Sequence, residues 1–442
     1  MKKKISINSI KEFKAMRKAM NFQEAIIESN RCLLCEDAPC SKGCPAGTDP
    51  GKFIRQIKFQ NYKGAARTIR NNNIMGSSCA HICPTEKLCE LGCSIKDLSH
   101  TINIAGLQQF AINYGIENNL EPMIASKKTM GKIAVIGAGP SGLACAAELA
   151  KMDYDVIVFE KEDFAGGVLK WNIPDFRLPL EMIENDLKNI ADLGVEIKYN
   201  KNIDTKEKAD ELLKDFDAVF LGTGLNKAFL LPELKGFDNS KDYIEYLKHI
   251  KTDRKYVADY IKGKTVSIIG GGSVAMDCAV SSMALGAEKV YLISLEHLSE
   301  LPADPEEIEL GQKMNIIFKP NTRITSVKSE DNKIIALKGN EIKWKEENNF
   351  SPDNAIDIEN TEFVLKSDFI VQGIGTYPII GEVFSDLKVF GKGCIVSDNG
   401  ITNQNKVFAA GDVVNGGATA VQAVGEGKKV AIAIHNFIKG GK

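Results

Sequence analysis

Eight of the eleven cysteines fall in one short part of the chain, and their spacing is that of metal ligands. The first run, from Cys32 to Cys44, reads C-x2-C-x4-C-x3-C-P, and the second, from Cys79 to Cys93, reads C-x3-C-P-x4-C-x3-C. The basic start of the chain is not followed by the apolar core of a signal peptide, so we expect a reducing compartment in which disulfides are rare. Clustered thiolates in such a setting are typical ligands of a metal centre.

Iron–sulfur clusters suit these runs better than zinc does. Zinc sites commonly use two close pairs of ligands separated by a longer loop. Here the runs are compact, and Cys44 and Cys83 each precede a proline, as cysteines do in ferredoxins. Eight thiols match two 4Fe–4S clusters, with a zinc site and unligated core thiols as the alternatives.

The spacing also predicts that the two runs share their ligands. The fourth cysteine of a run that ends in Cys-Pro commonly ligates the other cluster. The first cluster is therefore expected to draw on both runs: Cys32, Cys35, Cys40 and Cys93. The second cluster is expected to use Cys44, Cys83 and Cys89. This second set lacks one ligand, for which Cys79 is the simple candidate.

The segment that carries these cysteines has the periodicity of helices. Apolar residues recur at helical spacing in SIKEFKAMRKAM, NFQEAIIESNRC, NYKGAARTIRNNN and INIAGLQQFAINYG, the last of which closes on a glycine. No strand pattern appears in this part of the chain. The sequence therefore predicts an all-α iron–sulfur domain over residues 1–125.

From Lys132 onward the pattern changes to strand, glycine-rich turn, helix and strand, in KIAVIGAGPSGLACAAELAKMDYDVIVFEK. The glycines allow a tight turn and let backbone N–H groups approach a pyrophosphate at the helix N-terminus. An acid at the end of the second strand can bind ribose hydroxyls. The candidate dinucleotide ligands of this unit are Gly137, Gly139, Pro140, Ser141, Gly142 and Glu160.

The segment KTVSIIGGGSVAMDCAVSSMALGAEKVYLISLE repeats the same order of elements, with alanine in the third glycine position. It predicts a second dinucleotide unit, whose candidate ligands are Gly270, Gly272, Ser273, Val274, Ala275, Asp277 and Glu296. Beyond it, KIIALKG and EIKW indicate a β-meander, and the polar stretch 345–362 is predicted to be a loop. A buried strand in SDFIVQGIG, the segment KVFAAGD and a final helix complete the chain.

Two such units followed by VFAAGDV resemble the flavoproteins that bind two dinucleotides. The resemblance implies that residues 126–232 and 366–442 bind FAD, and that residues 233–365 form an inserted NAD(H)-binding domain. It also implies that Asp412 contacts the flavin and that a helix from about Thr419 directs its positive N-terminal end at the reduced, anionic flavin. The FAD ligands expected from this part of the chain are Gly411, Asp412, Thr419, Ala420 and Val421.

NADH is expected to be preferred over NADPH. NADP-dependent relatives usually carry basic residues after the second strand of the nicotinamide unit, where this chain has Leu295 and Glu296. A carboxylate there can bind the free 2′-hydroxyl of NADH and repels a 2′-phosphate.

The segments CLLCEDAPC, TINIAGLQQFA, IPDFRLP and GGGSVAMD resemble the N-terminal half of dihydropyrimidine dehydrogenase, and the resemblance extends over nearly the whole chain. It implies a subunit that oxidises NADH at FAD and passes single electrons through two 4Fe–4S clusters. The receiving partner would be an FMN-containing subunit that reversibly reduces uracil and thymine to 5,6-dihydropyrimidines, in a heterotetramer. The order of carriers suits their capacities, since flavin accepts an electron pair and clusters carry single electrons.

The same resemblance implies further site residues. Gln108 would replace a thiolate as the fourth ligand of the second cluster and leave Cys79 free. The loop GGVLKWNIPDFRLP would cross the flavin, with Gly167, Leu169 and Arg177 as the candidates closest to its ring. No general acid–base pair is expected, and Leu169 and Arg177 are candidates only for positions next to the flavin.

Two other functions remain open. The same electron module serves as the small subunit of bacterial glutamate synthase, or in a ferredoxin:NAD(P) transhydrogenase. A non-enzymatic iron–sulfur assembly or sensor protein is the alternative of another class. The net charge of −2 argues against nucleic acid or an anionic membrane as a partner, and no apolar run approaches the roughly 18 residues of a membrane helix. We expect a soluble, cytoplasmic oxidoreductase.

Overall fold

The computed structural model describes residues 17, 19–347, 349–380 and 382–440, and these form two compact units. The first unit contains the described residues up to 170, together with 175–226 and 377–440. The second unit contains residues 171–174 and 227–376. None of the helices in these ranges is long and apolar enough to cross a membrane.

The described helices of the first unit before the first strand are α1 (Phe22–Arg31), α2 (Pro39–Lys42), α3 (Pro50–Lys58), α4 (Tyr62–Asn72), α5 (Gly76–Ile82) and α6 (Ile104–Glu117). The later helices are α7 (Pro140–Lys151), α8 (Val168–Trp171), α9 (Leu180–Asp192), α10 (Lys206–Asp215), α11 (Tyr243–Thr252), α12 (Arg254–Ile261), α13 (Ser273–Ala284), α14 (Pro305–Lys313), α15 (Asp412–Asn415) and α16 (Ala420–Gly440).

The described strands are β1 (Lys132–Ile136), β2 (Asp155–Phe159), β3 (Glu196–Lys198), β4 (Ala218–Leu221), β5 (Lys227–Ala228), β6 (Ser240–Asp242), β7 (Thr265–Ile269), β8 (Lys289–Ile293), β9 (Ile317–Lys319), β10 (Thr322–Glu330), β11 (Lys333–Trp344), β12 (Ala355–Asp357), β13 (Phe363–Lys366), β14 (Phe369–Gln372), β15 (Thr376–Tyr377), β16 (Val389–Phe390), β17 (Cys394–Ile395) and β18 (Val407–Ala409).

The cysteine-bearing segment consists of helices joined by turns, and three of the four helices read from the sequence are present as α1, α4 and α6. The fourth, SIKEFKAMRKAM, lies almost wholly outside the described residues. Helix α1 begins at a capping box in which Asn21 and Glu24 bond each other's backbone N–H groups, as the N-x-x-E spacing requires. The prediction that Gly115 ends α6 is wrong, because the helix continues to Glu117 and Gly115 is instead a point of close contact with Ala66 of α4.

The α/β part of the first unit is built on a parallel sheet with the strand order β18-β4-β1-β2-β3. The sheet core is aliphatic, with buried Ala134, Val219 and Val407 on neighbouring strands. Helix α16 packs on α7, and Gly427 allows this because a β-carbon there would collide with the carbonyl oxygen of Ser141. The first glycine-rich turn, which leads into α7, and the last helix α16 therefore lie next to each other.

The second unit has its own parallel sheet, in the order β6-β14-β7-β8-β9. Strand β11 pairs with β10, β12 and β13 in a separate antiparallel sheet. The expected meander is wrong in its strands, because KIIALKG and EIKW both belong to the single strand β11. The interpretation of residues 345–362 as a loop is wrong for three residues, since β12 pairs with β11 from Ile342 to Trp344. Ala355 is buried in this pair, and its small side chain sits opposite Trp344.

Candidate cysteine and dinucleotide sites

One group of thiols lines a single cavity in the first unit. The cysteines at its wall are Cys32, Cys35, Cys40 and Cys93, which are the four residues that the run spacing assigned to the first cluster. Apolar residues fill the rest of the wall, among them Ile54, Ile95 and Ile104. Burial, together with the neighbouring charges of Cys32 and Cys93, raises the pKa of Cys40 to about 11.

A second group of thiols surrounds Cys83. Burial raises the pKa of Cys83 well above its usual range, and the nearby charges of Cys79, Cys89 and Cys44 act in the same direction. Burial likewise raises the pKa of Cys89, with Glu90 and Cys44 adding repulsion. The structure therefore brings Cys44 of the first run together with the cysteines of the second.

The chemistry of both groups fits iron–sulfur clusters. Buried thiols that repel one another as anions need a cationic centre if they are to ionise. Nowhere in the described ranges do three or more His, Cys, Asp or Glu side chains converge as the ligands of a single metal ion do.

Three residues compete for the last position beside Cys44, Cys83 and Cys89. Cys79 is buried, and burial raises the pKa of its thiol to about 12. Gln108 is also buried, and its amide nitrogen donates to the carbonyl oxygen of Gly76. Gln109, which sequence reasoning missed, bonds the Ala80 carbonyl in the same way, and its amide oxygen is buried without a partner.

Contacts from the α/β part of the first unit hold the second thiol group in place. Asp186 of α9 is fully buried and accepts from the backbone N–H groups of Ser77 and Ser78, the first turn of the helix that carries Cys79. Burial raises the pKa of Asp186 to about 6, although these hydrogen bonds favour its ionised form. Lys428 of α16 donates to the carbonyl oxygens of Ala46, at 2.6 Å, and of Asn72.

The first glycine-rich turn forms an open cradle at the start of α7. Gly137 has a φ of 99°, and a β-carbon there would lie 2.5 Å from the carbonyl oxygen of Gly222. A β-carbon at Gly142 would collide with the Gly137 oxygen. Gly139 is the N-cap of α7 and Pro140 its first residue, so the helix begins without a side-chain cap and its first N–H groups remain available to a ligand.

Glu160 directly follows β2 and is buried beside this cradle. Its two carboxylate oxygens accept from the N–H groups of Ala138 and Glu162, at 2.8 and 2.9 Å. Each oxygen keeps a second lone pair for a ribose hydroxyl. The cradle and this acid fit the adenosine end of a dinucleotide.

The GD segment reaches the same cradle. Gly411 has a φ of 80°, and a β-carbon there would lie 2.7 Å from Ser141 Oγ. Burial raises the pKa of Asp412 to about 6, the Ala418 N–H bond lowers it, and the charge of Glu426 raises it again.

Helix α16 begins beside that segment. Thr419 and Gln422 bond each other's backbone N–H groups in a capping box. Ala420 is the first helical residue and Val421 is buried.

The loop of residues 166–169 crosses the first turn. Gly167 has a φ of 55°, and its β-carbon would lie 3.1 Å from Gly139 Cα. Leu169 is fully buried, whereas Arg177 is half-buried. The loop GGVLKWNIPDFRLP contains the short helix α8, which the sequence interpretation missed.

The second glycine-rich turn repeats the cradle in the second unit. Gly270 has a φ of 130°, and a β-carbon there would collide with the Gly373 oxygen. Gly272 is the N-cap of α13, with open space where a side chain would stand. Ser273 and Val274 begin α13, and Ala275 and Asp277 are buried within it.

Glu296 lies over this second turn, although it is not the counterpart of Glu160. The registers Ile136 with Phe159 and Ile269 with Ile293 make Ser294 the residue that matches Glu160. The Glu296 carboxylate nevertheless folds back to within 3.0 Å of the position of a β-carbon on Gly271. Superposing the two repeats in the sequence would have found Ser294.

Comparison with known families fits this geometry. Residues 131–427 match the family described as pyridine nucleotide-disulphide oxidoreductase. Residues 9–120 match the family described as dihydropyrimidine dehydrogenase domain II, 4Fe-4S cluster. The class of protein is therefore an NAD(P)H-dependent flavoprotein oxidoreductase with an N-terminal 4Fe–4S domain.

The chain belongs to the family of the NAD-dependent dihydropyrimidine dehydrogenase subunit PreT. It is 37% identical to that subunit from Escherichia coli (strain K12), over 94% of this chain and 95% of the relative. It is also 30% identical to the NADP(+)-dependent formate dehydrogenase subunit beta of Moorella thermoacetica, over 91% of this chain and 60% of that relative.

Solved structures share the fold of the α/β part. FprA from Mycobacterium tuberculosis in complex with NADPH superposes with a TM-score of 0.59 at 14% identity, over 70% of this chain and 86% of that one. The thioredoxin reductase of T. acidophilum superposes with a TM-score of 0.52 at 20% identity, over 69% of this chain and 98% of that one.

Proposed function

We propose that this chain is the electron-input subunit of a pyrimidine reductase: it oxidises NADH at FAD and delivers electrons through two 4Fe–4S clusters to an FMN-containing partner that reduces uracil or thymine. The likeness to PreT over 94% of the chain supports the reaction and the partner. A heterotetramer of two copies of each subunit is the assembly that follows from the resemblance.

The observation that carries the proposal is the contact of α16 with the segment that follows Cys44. Gly425 of α16 lies against the carbonyl oxygen of Pro45, and Lys428 bonds the next carbonyl, that of Ala46. The same helix begins at Thr419, next to the GD segment and the first cradle. One rigid element therefore joins the FAD cradle to the ligand Cys44.

This contact supports an order for the two clusters. The group of Cys44, Cys83 and Cys89 would receive electrons first, because its chain segments touch α16. The cavity group, Cys32, Cys35, Cys40 and Cys93, would then pass them on. When bound, FAD takes the electron pair of NADH and the clusters carry electrons one at a time.

The assignments of cofactor to domain are part of the proposal. We assign FAD to residues 126–232 and 366–442, and NADH to an inserted domain of residues 233–365. The second unit supports an insertion, because residues of the first unit lie on both sides of 227–376 in the chain. The boundaries at 233 and 365 fall inside this unit, whose sheet also includes β14. The position of Glu296 over the second turn supports NADH as the donor.

The test uses the purified holoprotein under anaerobic conditions. NADH should bleach the flavin absorption and support reduction of an artificial dye without any partner. Uracil reduction should be undetectable until an FMN-containing pyrimidine-reducing subunit is added. Absence of bleaching with either nicotinamide would contradict the assignment of both cradles.

A second candidate keeps the electron module and changes the acceptor. The similarity to a formate dehydrogenase subunit beta favours it, because that relative is named as part of a different oxidoreductase. If an FMN-containing subunit binds the chain but yields no NADH-dependent uracil reduction, this second function replaces the first.

A further inference from the structure

The Cys44 sulfur is hydrogen-bonded to Thr48, a residue that lies outside the cysteine and glycine motifs. The backbone N–H of Thr48 donates to Cys44 Sγ at 3.4 Å, and the Thr48 hydroxyl oxygen lies 3.3 Å from the same sulfur. Thr48 is 2% exposed, so water does not compete for either bond. Two hydrogen-bonding groups of one residue thus converge on a single sulfur.

Asn73 decides which way the Thr48 hydroxyl proton points. Its amide nitrogen donates to Thr48 Oγ1 at 3.1 Å, and its amide oxygen accepts from the N–H of Met75 at 3.0 Å, which fixes the amide orientation. Asn73 is fully buried. Because Thr48 Oγ1 already accepts a hydrogen bond from Asn73, the hydroxyl can direct its own O–H toward the sulfur. A ligating thiolate has no proton to give, so the hydroxyl must then be the donor.

Lys428 adds a positive charge on the other side of the same segment. It comes from α16, is partly buried, and bonds the carbonyl oxygens of Ala46 and Asn72, which lie two residues before Thr48 and one before Asn73. Asn72 also donates to the carbonyl oxygen of Thr48 at 3.4 Å. Cys44 is among the charges that act on the Lys428 ammonium.

We propose that Thr48, Asn73 and Lys428 raise the reduction potential of the cluster that Cys44 ligates, and so make it the better electron acceptor beside the flavin helix. Hydrogen bonds to a ligating sulfur and a nearby cation stabilise the reduced cluster, which carries one more negative charge. This inference rests on the proposed function. These three act through Cys44 and are positioning residues, because none of them is a ligand.

The sulfurs of the cavity group also have hydrogen-bonding neighbours: burial raises the pKa of Cys32 and of Cys40, but a backbone bond from Leu34 lowers that of Cys32, and backbone and side-chain bonds from Ser41 lower that of Cys40. Cys35 Sγ lies 3.4 Å from the hydroxyl of Ser94 at the exposed edge of the group. The Lys58 ammonium bonds the carbonyl oxygen of Cys32 at 3.4 Å rather than a sulfur.

The test is an EPR-monitored redox titration of the anaerobic holoprotein. Thr48→Val keeps the shape and the backbone N–H but removes the hydroxyl, and should move one of the two cluster potentials to a lower value while the other stays. Thr48→Ser keeps the hydroxyl and is the matched control, with a potential near the wild type. If Thr48→Val has its full iron content and both of its cluster potentials equal those of the wild type, the inference is overturned.

Lys428 provides an independent arm if Thr48→Val loses iron. Lys428→Gln removes the charge and should lower the potential of the same cluster, whereas Lys428→Arg should retain it. An unchanged potential in Lys428→Gln would overturn the inference in that case. Wild-type protein without cluster iron, or with a flavin that NADH does not reduce, would instead contradict the proposed function before any variant is made.

Discussion

Gly425 and Pro45 touch although 380 positions separate them in the chain, and the contact leaves no room for a side chain. A β-carbon on Gly425 would collide with the carbonyl oxygen of Pro45, which is backbone and has little freedom to move. Pro45 directly follows Cys44, so this glycine sets how closely α16 approaches a proposed cluster ligand.

Gly425→Ala should therefore slow electron delivery to the cluster that Cys44 ligates. The overpacked contact is expected to cost about 1–3 kcal/mol of stability and to push the Cys44 segment away from α16. Rapid freezing after NADH addition, followed by EPR, should show late cluster reduction behind normal flavin bleaching. Gly440→Ala on the same helix is the control, because a β-carbon there meets open space. Equal cluster reduction in both variants would show that the contact is not the route.

The preference for NADH should depend on the residues after β8. Replacing Leu295 and Glu296 by Arg removes a carboxylate from the second cradle and adds donors for a 2′-phosphate. The change is expected to shift the ratio of the kcat/KM values for NADH and NADPH by about 2–3 kcal/mol toward NADPH. Glu288→Arg, exposed at the opposite end of β8, should leave the ratio alone. A wild-type enzyme that prefers NADPH would refute the role given to Glu296.

The last ligand of the Cys44 cluster can be found by substitution. We expect Cys79→Ser to keep both clusters by iron count and by EPR, and Gln108→Ala to disturb one of them. A neutral amide ligand in place of a thiolate leaves the cluster one unit less negative, so its loss should also alter the potential.

Gln109→Ala is the matched comparison for that experiment, since both glutamines hold a carbonyl of α5. If only Gln109→Ala disturbs a cluster, the fourth ligand would be assigned to Gln109 instead, whose amide oxygen is buried and without a partner. Loss of a cluster in Cys79→Ser, with both glutamine variants intact, would favour a ligand set of four thiols.

Asp412 should make the flavin-free protein less stable as pH rises from about 4 to about 6. Its pKa is raised to about 6 in the folded chain, against about 3.9 for an unfolded aspartate, so the folded state binds more protons in that window. Ionisation of the folded form then costs stability, by about 2–3 kcal/mol once the pH exceeds 6.

Thermal unfolding of Asp412→Asn at pH 5 and pH 7 checks this. At pH 7 the melting temperature of the variant should rise relative to that of the wild type, because an asparagine has no charge to bury beside Glu426. Asp210→Asn, exposed on α10, should follow the wild type at both values. A parallel pH profile for Asp412→Asn would rule out the buried ionisation as the cause.

The local patterns predicted much of this fold because the physics behind them is local. Glycines such as Gly137 and Gly270 stand where the backbone needs a positive φ and a close approach to a carbonyl, so the motif alone places both cradles. The periodicity of α4 and α6 reports their buried faces, among them Ile69 and Leu107. The grouping of Cys93 with the first run around one cavity also agrees with the spacing argument.

Features that depend on contacts between residues far apart in the chain could not be predicted from local sequence patterns. Nothing near Asp186 marks it as the partner of Ser77 and Ser78, because the pairing exists only after α9 packs on α5. The same holds for Lys428 and for the hydrogen bonds of Thr48. Gly115 shows the same limit. A glycine near the end of a helical pattern predicts that the helix ends there, whereas this one is required by the close packing of α6 against Ala66.

Asp186 also bears on how the protein is made. The N-terminal turn of α5 is buried, and its donors on Ser77 and Ser78 are satisfied by a carboxylate that the ribosome adds 108 residues after Ser78. A nascent chain that has only emerged as far as residue 125 lacks both this carboxylate and the packing of α9, so water takes the place of Asp186 at the helix end. Maturation of the Cys44 cluster should follow synthesis of α9, and residues 1–125 expressed alone should not behave as a free-standing ferredoxin.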